Sequence, residues 1–355
     1  MTPKRILLTG ATGCIGHYLA EAIVQETDHE LFLLVRNRDR LRFDYEARPG
    51  VTILEADLRA IDRFSDLLKT VNVAILAATA WGGSAEVFDI NVAKTVRLLE
   101  LLDPLLCEQV IYFSTASILD RDNNLLTEAK QLGTDYIRSK YDCFCRLSRL
   151  QLAPKITALF PTLVFGGDEH KPYSHLSSGL PGVVKWVNLI RWFKAEGSFH
   201  FIHGRDIAKV VVHLIEHPEA KDFLEEKENV REITKVILGN PSITVNEATE
   251  EICAYFGKKI YFRIPLTDWL ANFLIGVFNI QMAAWDRFCL RYRDFTYRHP
   301  VHPATFGLPS YCPTLTDVLK VRGIPSGKSS QSRSDPVAPS APVDLAEELR
   351  ESEEE

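Results

Sequence analysis

Tyr136 and Lys140 are the pair in this chain whose types and spacing most directly offer chemistry. They bound the run Tyr136-Ile-Arg-Ser-Lys140 near the start of an uninterrupted helical stretch, so their side chains share one helix face. A tyrosine titrates near about 10 and is a weak acid–base catalyst at neutral pH. A neighbouring ammonium, joined by a cationic ring, would lower it toward a working range. A second Tyr-x-x-x-Lys, Tyr255 to Lys259, is interrupted by Gly257 and ends a helix. Tyr112-Phe-Ser-Thr-Ala-Ser117 closes an apolar run, and a hydroxyl there can hold a substrate oxygen beside Tyr136. Thr115 is the first choice and Ser114 the second. The plainer role for Thr115 is a turn hydroxyl bonded to its own backbone.

A second constellation lies at the N-terminus. Thr9-Gly-Ala-Thr-Gly-Cys-Ile-Gly16 follows the apolar run Ile6-Leu7-Leu8 and precedes the amphipathic run Ile15 to Val24. Gly10, Gly13 and Gly16 stand three apart, which lets a pyrophosphate approach backbone without a Cβ in the way. Thr12, Cys14 and Ile15 complete the loop, whose helix start offers free N–H groups and a positive dipole end. Twenty residues beyond Gly16, where a dinucleotide site usually carries an acid for the ribose 2′-hydroxyl, the chain has Arg36. Arginine accepts no hydrogen bond but pairs with a 2′-phosphate, so the site reads as NADP(H) rather than NAD(H). Arg38 and Arg40 add positive potential. Asp57 can accept from an adenine amino group, with Leu58 against the ring. Ala77, Ala78 and Thr79 are small enough for a cofactor to lie across them. Asn91 opens the next helix, where an N-cap is the plain alternative.

These residues need a frame. Arg5–Leu8, Leu31–Val35, Val51–Glu55, Val73–Ala77, Val110–Phe113 and Ile156–Phe160 read as strands. Between them, Gly16–Gln25, Asn91–Leu102 and Thr134–Leu152 have helical spacing. Short apolar strands alternating with amphipathic helices predict a parallel sheet covered on both faces, with the ligand crevice at the carboxyl ends of the strands. After Gly166 the rhythm breaks. Phe199–Ile202 and Lys235–Leu238 read as short strands of a second domain or as strands returning to the first.

With these motifs in place, the chain resembles the extended short-chain dehydrogenase/reductases, also called the NAD(P)-dependent epimerase/dehydratase family, over roughly residues 4 to 260. The glycine loop, Asp57-Leu58, Asn91-Val-Ala-Lys-Thr95, Thr115, Tyr136/Lys140, Pro161-Thr-Leu-Val-Phe-Gly166 and Phe201-Ile-His-Gly-Arg-Asp-Ile-Ala208 arrive in the family's order. The resemblance implies an α/β Rossmann fold, a doubly wound parallel sheet with a smaller mixed substrate domain. The expected division is 1–166 for the cofactor domain, 167–324 for the substrate domain and 325–355 for a disordered Ser/Pro-rich, acidic tail. It also implies a Thr115–Tyr136–Lys140 catalytic set, with Pro161 and Thr162 among the residues beside the cofactor.

Departures narrow the branch. Ala116-Ser117 stands where sugar-nucleotide dehydratases carry Asp-Glu, and Leu163 where epimerases often carry Asn. Lys94 replaces a common Gly. Pro161-Thr-Leu-Val with Arg36 looks closer to the dihydroflavonol-reductase and 3β-hydroxysteroid-dehydrogenase branches, which act on bulky, apolar carbonyl or hydroxyl compounds. The aromatics Trp186, Trp192, Phe193, Trp269, Phe273, Phe278 and Trp285 suit such a pocket or a packed core equally. The expectation is an NADP(H)-dependent oxidoreductase acting on a small molecule. A sugar-nucleotide epimerase is the first alternative, and a non-catalytic cofactor-binding scaffold the second. Family members commonly pair through helices, which leaves a homodimer open.

Bulk properties set the remaining bounds. The 355 residues suffice for two domains or one large one, with 46% apolar and 25% charged residues. From Pro325 onward there are three bases and eight acids, which accounts for nearly all of the net charge of −6. No clustered basic footprint for nucleic acid occurs. Seven scattered cysteines, with no C-x-x-C, read as reduced thiols, and the early first strand leaves no room for a signal peptide, so the cytoplasm is expected. Cys14 reads as inert filler whose oxidation would block the pyrophosphate. His200, His203, His299 and His302 lack companions for a metal set. Trp269–Trp285 is free of charge for 17 residues, short for a membrane span and interrupted by Asn272, Asn279 and Gln281. A buried or pocket-lining helix is the leading reading there, and an in-plane membrane contact the other.

Overall fold

Ile6, Leu7 and Leu8 are wholly buried in the first strand, because a parallel strand with helices on both faces leaves no side for water. In the computed structural model, which describes residues 2–224, 232–267, 269–270 and 281–327, the same holds for its neighbours. The strands are β1 (Arg5–Thr9), β2 (Glu30–Val35), β3 (Val51–Glu55), β4 (Val73–Leu76), β5 (Gln109–Phe113) and β6 (Ile156–Pro161). Two short strands follow, β7 (Leu163–Phe165) and β8 (Phe201–His203), and then β9 (Thr234–Leu238). The seven-stranded sheet has the order β9-β6-β5-β4-β1-β2-β3, parallel throughout. All carboxyl ends therefore share one edge, and the order reverses between β1 and β4, which creates the crevice.

Two hydrophobic layers cover the sheet. One face packs β4 and β5 residues such as Ala74 and Tyr112 against Leu98, Ile137 and Cys143. The other packs Ile6, Leu33 and Ile75 against α1 (Cys14–Glu26) and the Gly204–Glu216 helix. Alternate residues of each strand supply the two layers, as the two-residue period of a pleated strand requires. A smaller cluster, including Phe165, Phe201, Leu315 and Val318, forms the core of the second region.

Three expectations change. The first helix starts at Cys14, inside the glycine loop, because Gly13 takes extended φ/ψ (−85°, 171°) and caps it. Asn91 does not open a helix: the helical run starts at Ser84, and Asn91 lies in a π-helical stretch, Asp89–Lys94, that continues into Thr95–Leu101. Phe199–Ile202 splits at His200. Ser198–Phe199 pairs with Ile243–Thr244 and Asp294–Phe295, while β8 pairs with β7. The break follows from the His200 ring, whose Nδ1 lies 2.7 Å from the Asn240 carbonyl and whose Nε2 accepts from the Tyr297 N–H. Lys235–Leu238 is a returning strand, extended by one residue to make β9, the sheet's edge.

Residues 271–280 of the charge-free stretch and the tail from Lys328 lie outside the described residues. Trp285, at the end of that stretch, is buried in the main core and stacks on Phe288. No helix among the described residues is long and apolar enough to cross a membrane.

Candidate active site

The glycines have separate jobs. Gly10 has φ +78°, and a Cβ on it would lie 2.6 Å from the Ala78 nitrogen, so it lets β1 and β4 meet. The Thr9 hydroxyl accepts from the Ala78 N–H across the same seam. A Cβ on Gly16 would lie 1.9 Å from the Gly10 carbonyl oxygen, so it seats α1 on the loop. Gly13 is exposed, its φ is ordinary, and only the Gly10 carbonyl comes within 4 Å of an added Cβ, at 3.4 Å. Among the described residues nothing else crowds that position. No side chain caps α1 and its first turn holds no acid, so its N–H groups remain available to an anion.

Cys14 lies beside Gly166, whose added Cβ would stand 3.0 Å from its sulfur. Burial pushes the Cys14 thiol up to about 12, which keeps it protonated and a poor nucleophile.

Arg36 sits exposed after β2 and takes part in no hydrogen bond or ion pair among the described residues. The Asp57 side chain accepts from the Arg59 N–H at 2.7 Å, and the Arg59 guanidinium bridges Asp57, Glu86 and Asp89. Leu58 turns into the core rather than toward a ligand.

Asn91 is the hinge pin of the central loop. Its side-chain oxygen accepts from the Ala80 N–H at 2.7 Å and from the Thr79 hydroxyl at 3.2 Å. Its amide donates to the Ala80 carbonyl and to Ser139 Oγ, both at 3.0 Å. Ser139 belongs to the Asp135–Leu147 helix that carries Tyr136 and Lys140. One buried amide thus fixes the loop after β4 to the helix of Tyr136 and Lys140 from within a π-helical stretch.

Lys140 is 3% exposed, and its Nζ donates to the Phe113 carbonyl at the end of β5 at 2.8 Å. The same Nζ lies 5.2 Å from the Tyr112 ring centre and 5.8 Å from that of Tyr136. Burial lowers its pKa to about 8. Tyr136 is raised well above the usual phenol value by burial, with a hydrogen bond to the Thr115 side chain pulling the other way. The lowering anticipated from Lys140 is absent, its Nζ being turned to the Phe113 carbonyl, so the phenol stays protonated. Thr115 also accepts from the Ser117 N–H at 3.3 Å, so it serves both the turn and the tyrosine. Ser114 is buried, and its hydroxyl has no partner among the described residues. Pro161 ends β6, and the Thr162 hydroxyl is committed to the Leu238 carbonyl at 2.8 Å.

Sequence reasoning missed Trp81. Its ring stacks on Tyr136 with centroids 3.9 Å apart and planes 16° apart, yet Trp81 is 65% exposed. The available signal was a lone aromatic between the small residues after β4 and Gly82-Gly83. Among the described residues, no three His, Cys, Asp or Glu side chains group as a metal site.

A family model described as the NAD dependent epimerase/dehydratase family matches residues 6–225. No curated protein matches the sequence. Solved structures similar to this chain include a UDP-glucose-4-epimerase from Stenotrophomonas maltophila with bound NAD and formylated UDP-arabinopyranose. It is 16% identical with a TM-score of 0.57, over 90% of this chain and 96% of that one. A dTDP-glucose 4,6-dehydratase from Bacillus anthracis str. Ames in complex with NAD is 14% identical with a TM-score of 0.57, over 93% and 97%. A UDP-N-acetylglucosamine 4-epimerase from Methanobrevibacter ruminantium M1 is 19% identical with a TM-score of 0.52, over 74% and 85%. At these identities the likeness is one of fold.

Proposed function

The chain belongs to the NAD dependent epimerase/dehydratase family, and from that premise we propose that it is an NADP(H)-dependent oxidoreductase of a carbonyl or secondary alcohol. The observation that carries this reading is the buried Lys140 ammonium, held on the Phe113 carbonyl beneath the protonated Tyr136 phenol. A bound nicotinamide supplies the hydride, or accepts it in the reverse direction. Gly13 and the uncapped start of α1 would hold its pyrophosphate, and Arg36 a 2′-phosphate.

In the reducing direction the substrate carbonyl carbon takes the hydride, and Tyr136 Oη delivers its proton to the substrate oxygen. Thr115 orients that oxygen. The phenolate left behind gains from the Lys140 charge in a site from which Trp81 excludes water on one ring face. Ala116 and Ser117 offer no acid and base for loss of water, which weighs against a dehydratase.

The test is Tyr136→Phe, assayed by nicotinamide absorbance over a panel of ring ketones and secondary alcohols, with NADPH binding measured by calorimetry. Hydride transfer should fall by ~100-fold or more while NADPH binding persists. Undiminished turnover overturns the mechanism. Turnover of sugar nucleotides with no net change in the cofactor assigns the chain to the epimerases instead.

A further inference from the structure

Exposed apolar side chains gather on one joined unit of the second region. Residues 183–194 and 259–266 are locked edge to edge: Phe193–Lys194 pairs with Ile264–Pro265, and Ile264 N–H donates to the Trp192 carbonyl at 2.8 Å. The Arg191 guanidinium donates to the Lys259 carbonyl at 3.2 Å, and the Trp192 and Phe262 rings meet at 4.9 Å. From this joined unit Val183, Leu189, Ile190, Tyr261, Phe262 and Ile264 are exposed, Tyr261 to 75% and Phe262 to 61%. A soluble surface spaces such residues singly, so clustering on one unit signals a partner.

Basic residues outnumber acidic ones around them. Residues 172–195 and 252–267 hold six Lys or Arg and no Asp or Glu, and the neighbouring Glu250 is paired with Arg263 at 3.0 Å. Lys185, Lys194, Lys258 and Lys259 are exposed and form no ion pair among the described residues. The rest of the chain is acidic on balance, so this local excess is not a reflection of composition.

We infer that this face seats the protein on an anionic lipid surface, its aromatic and aliphatic side chains entering the headgroup boundary and its four free lysines meeting lipid phosphates. A polar protein partner would leave Tyr261, Phe262 and Ile264 against charge. A purely apolar one would leave the lysines desolvated without counter-charges. An anionic bilayer surface satisfies both at once, with rings at the interface and ammonium groups among the headgroups. The inference uses neither Tyr136 nor Lys140, so it stands whether or not the proposed reaction does.

The test is co-sedimentation of the full chain with vesicles of phosphatidylcholine alone and of phosphatidylcholine mixed with phosphatidylglycerol. Binding should appear with the mixed vesicles, weaken with added salt, and be slight on phosphatidylcholine. Lys258→Glu with Lys259→Glu, and separately Tyr261→Ser with Phe262→Ser, should each weaken binding ~10-fold or more, with melting temperature and NADPH affinity unchanged. No sedimentation with either vesicle, equal binding to both, or binding that neither double variant alters overturns the inference. So does a wild-type dimer that the Tyr261/Phe262 variant dissociates, which makes the face a contact between copies.

Discussion

The indole of Trp81 lies flat on the phenol of Tyr136, and this contact joins the loop after β4 to the candidate proton donor. The centroids are 3.9 Å apart, while Trp81 itself is 65% exposed. Ala80 on one side is clamped through both backbone groups by Asn91; on the other, Gly82 packs against the Glu86 carboxylate and Gly83 caps the Ser84–Phe88 helix. The ring is thus held from both ends, and it covers one face of Tyr136.

Trp81→Ala should lower kcat/KM for ring-bearing substrates roughly 2- to 12-fold, the range of an aromatic pair worth ~0.5–1.5 kcal/mol. Trp81→Phe should recover most of the loss. Burial raises the Tyr136 phenol by disfavouring its charged form, so uncovering one face should move its titration downward. Ultraviolet difference titration checks the direction. An unmoved phenol would mean that Trp81 contributes no desolvation.

Lys140 should set the alkaline limit of the proposed reducing reaction. Its cation is favoured below about 8, since burial brings its pKa down to that value, and is lost above it. Tyr136 remains protonated across the same range, so the phenol contributes no limb there. The kcat profile should therefore fall above about pH 8. Lys140→Met should abolish that limb and lower kcat ~100-fold. A limb that survives the substitution belongs to another group.

The strands bearing these residues are legible because a doubly covered parallel strand must be apolar without interruption, as Ile6-Leu7-Leu8 and Val110-Ile-Tyr-Phe113 are. Tyr136, Lys140 and the glycines are legible because helix periodicity and the absence of Cβ atoms are properties of spacing. Trp81 is not, since an exposed ring on a loop follows no period. Asn91 is misread for a related reason: its role rests on Ser139, 48 residues away, and on a π-helical stretch that leaves no mark in the pattern. The second region hides its strands because they run for two or three residues, too short for alternation to register.

Arg36 gives the cofactor preference a direct measurement. It is exposed, it has no partner among the described residues, and no acid stands in its place to accept from a ribose 2′-hydroxyl. Charge-assisted bonds to a 2′-phosphate are worth ~1.5–3 kcal/mol, so Arg36→Ala should weaken NADPH binding roughly 10- to 100-fold. NADH affinity should stay within about twofold. Calorimetry with both nucleotides reads the difference, and equal wild-type affinities would remove NADP(H) from the reading.

The glycine loop separates folding from binding. Gly16→Ala drives a Cβ to 1.9 Å from the Gly10 carbonyl oxygen, and neither backbone can yield without moving α1 off the sheet. It should cost about 3 kcal/mol or more and lower Tm by ~4 °C or more, read by calorimetry. Gly13→Ala meets only the Gly10 carbonyl, at 3.4 Å, in a backbone conformation that alanine adopts freely. Its Tm should hold, while the new methyl projects toward the open face where a pyrophosphate would lie. NADPH affinity should drop ~10-fold or more, given close backbone approach to the phosphates. If Gly13→Ala instead binds NADPH as the parent does, the loop is a turn and the ligand lies elsewhere. If it unfolds, the loop's own packing is the reason for that glycine.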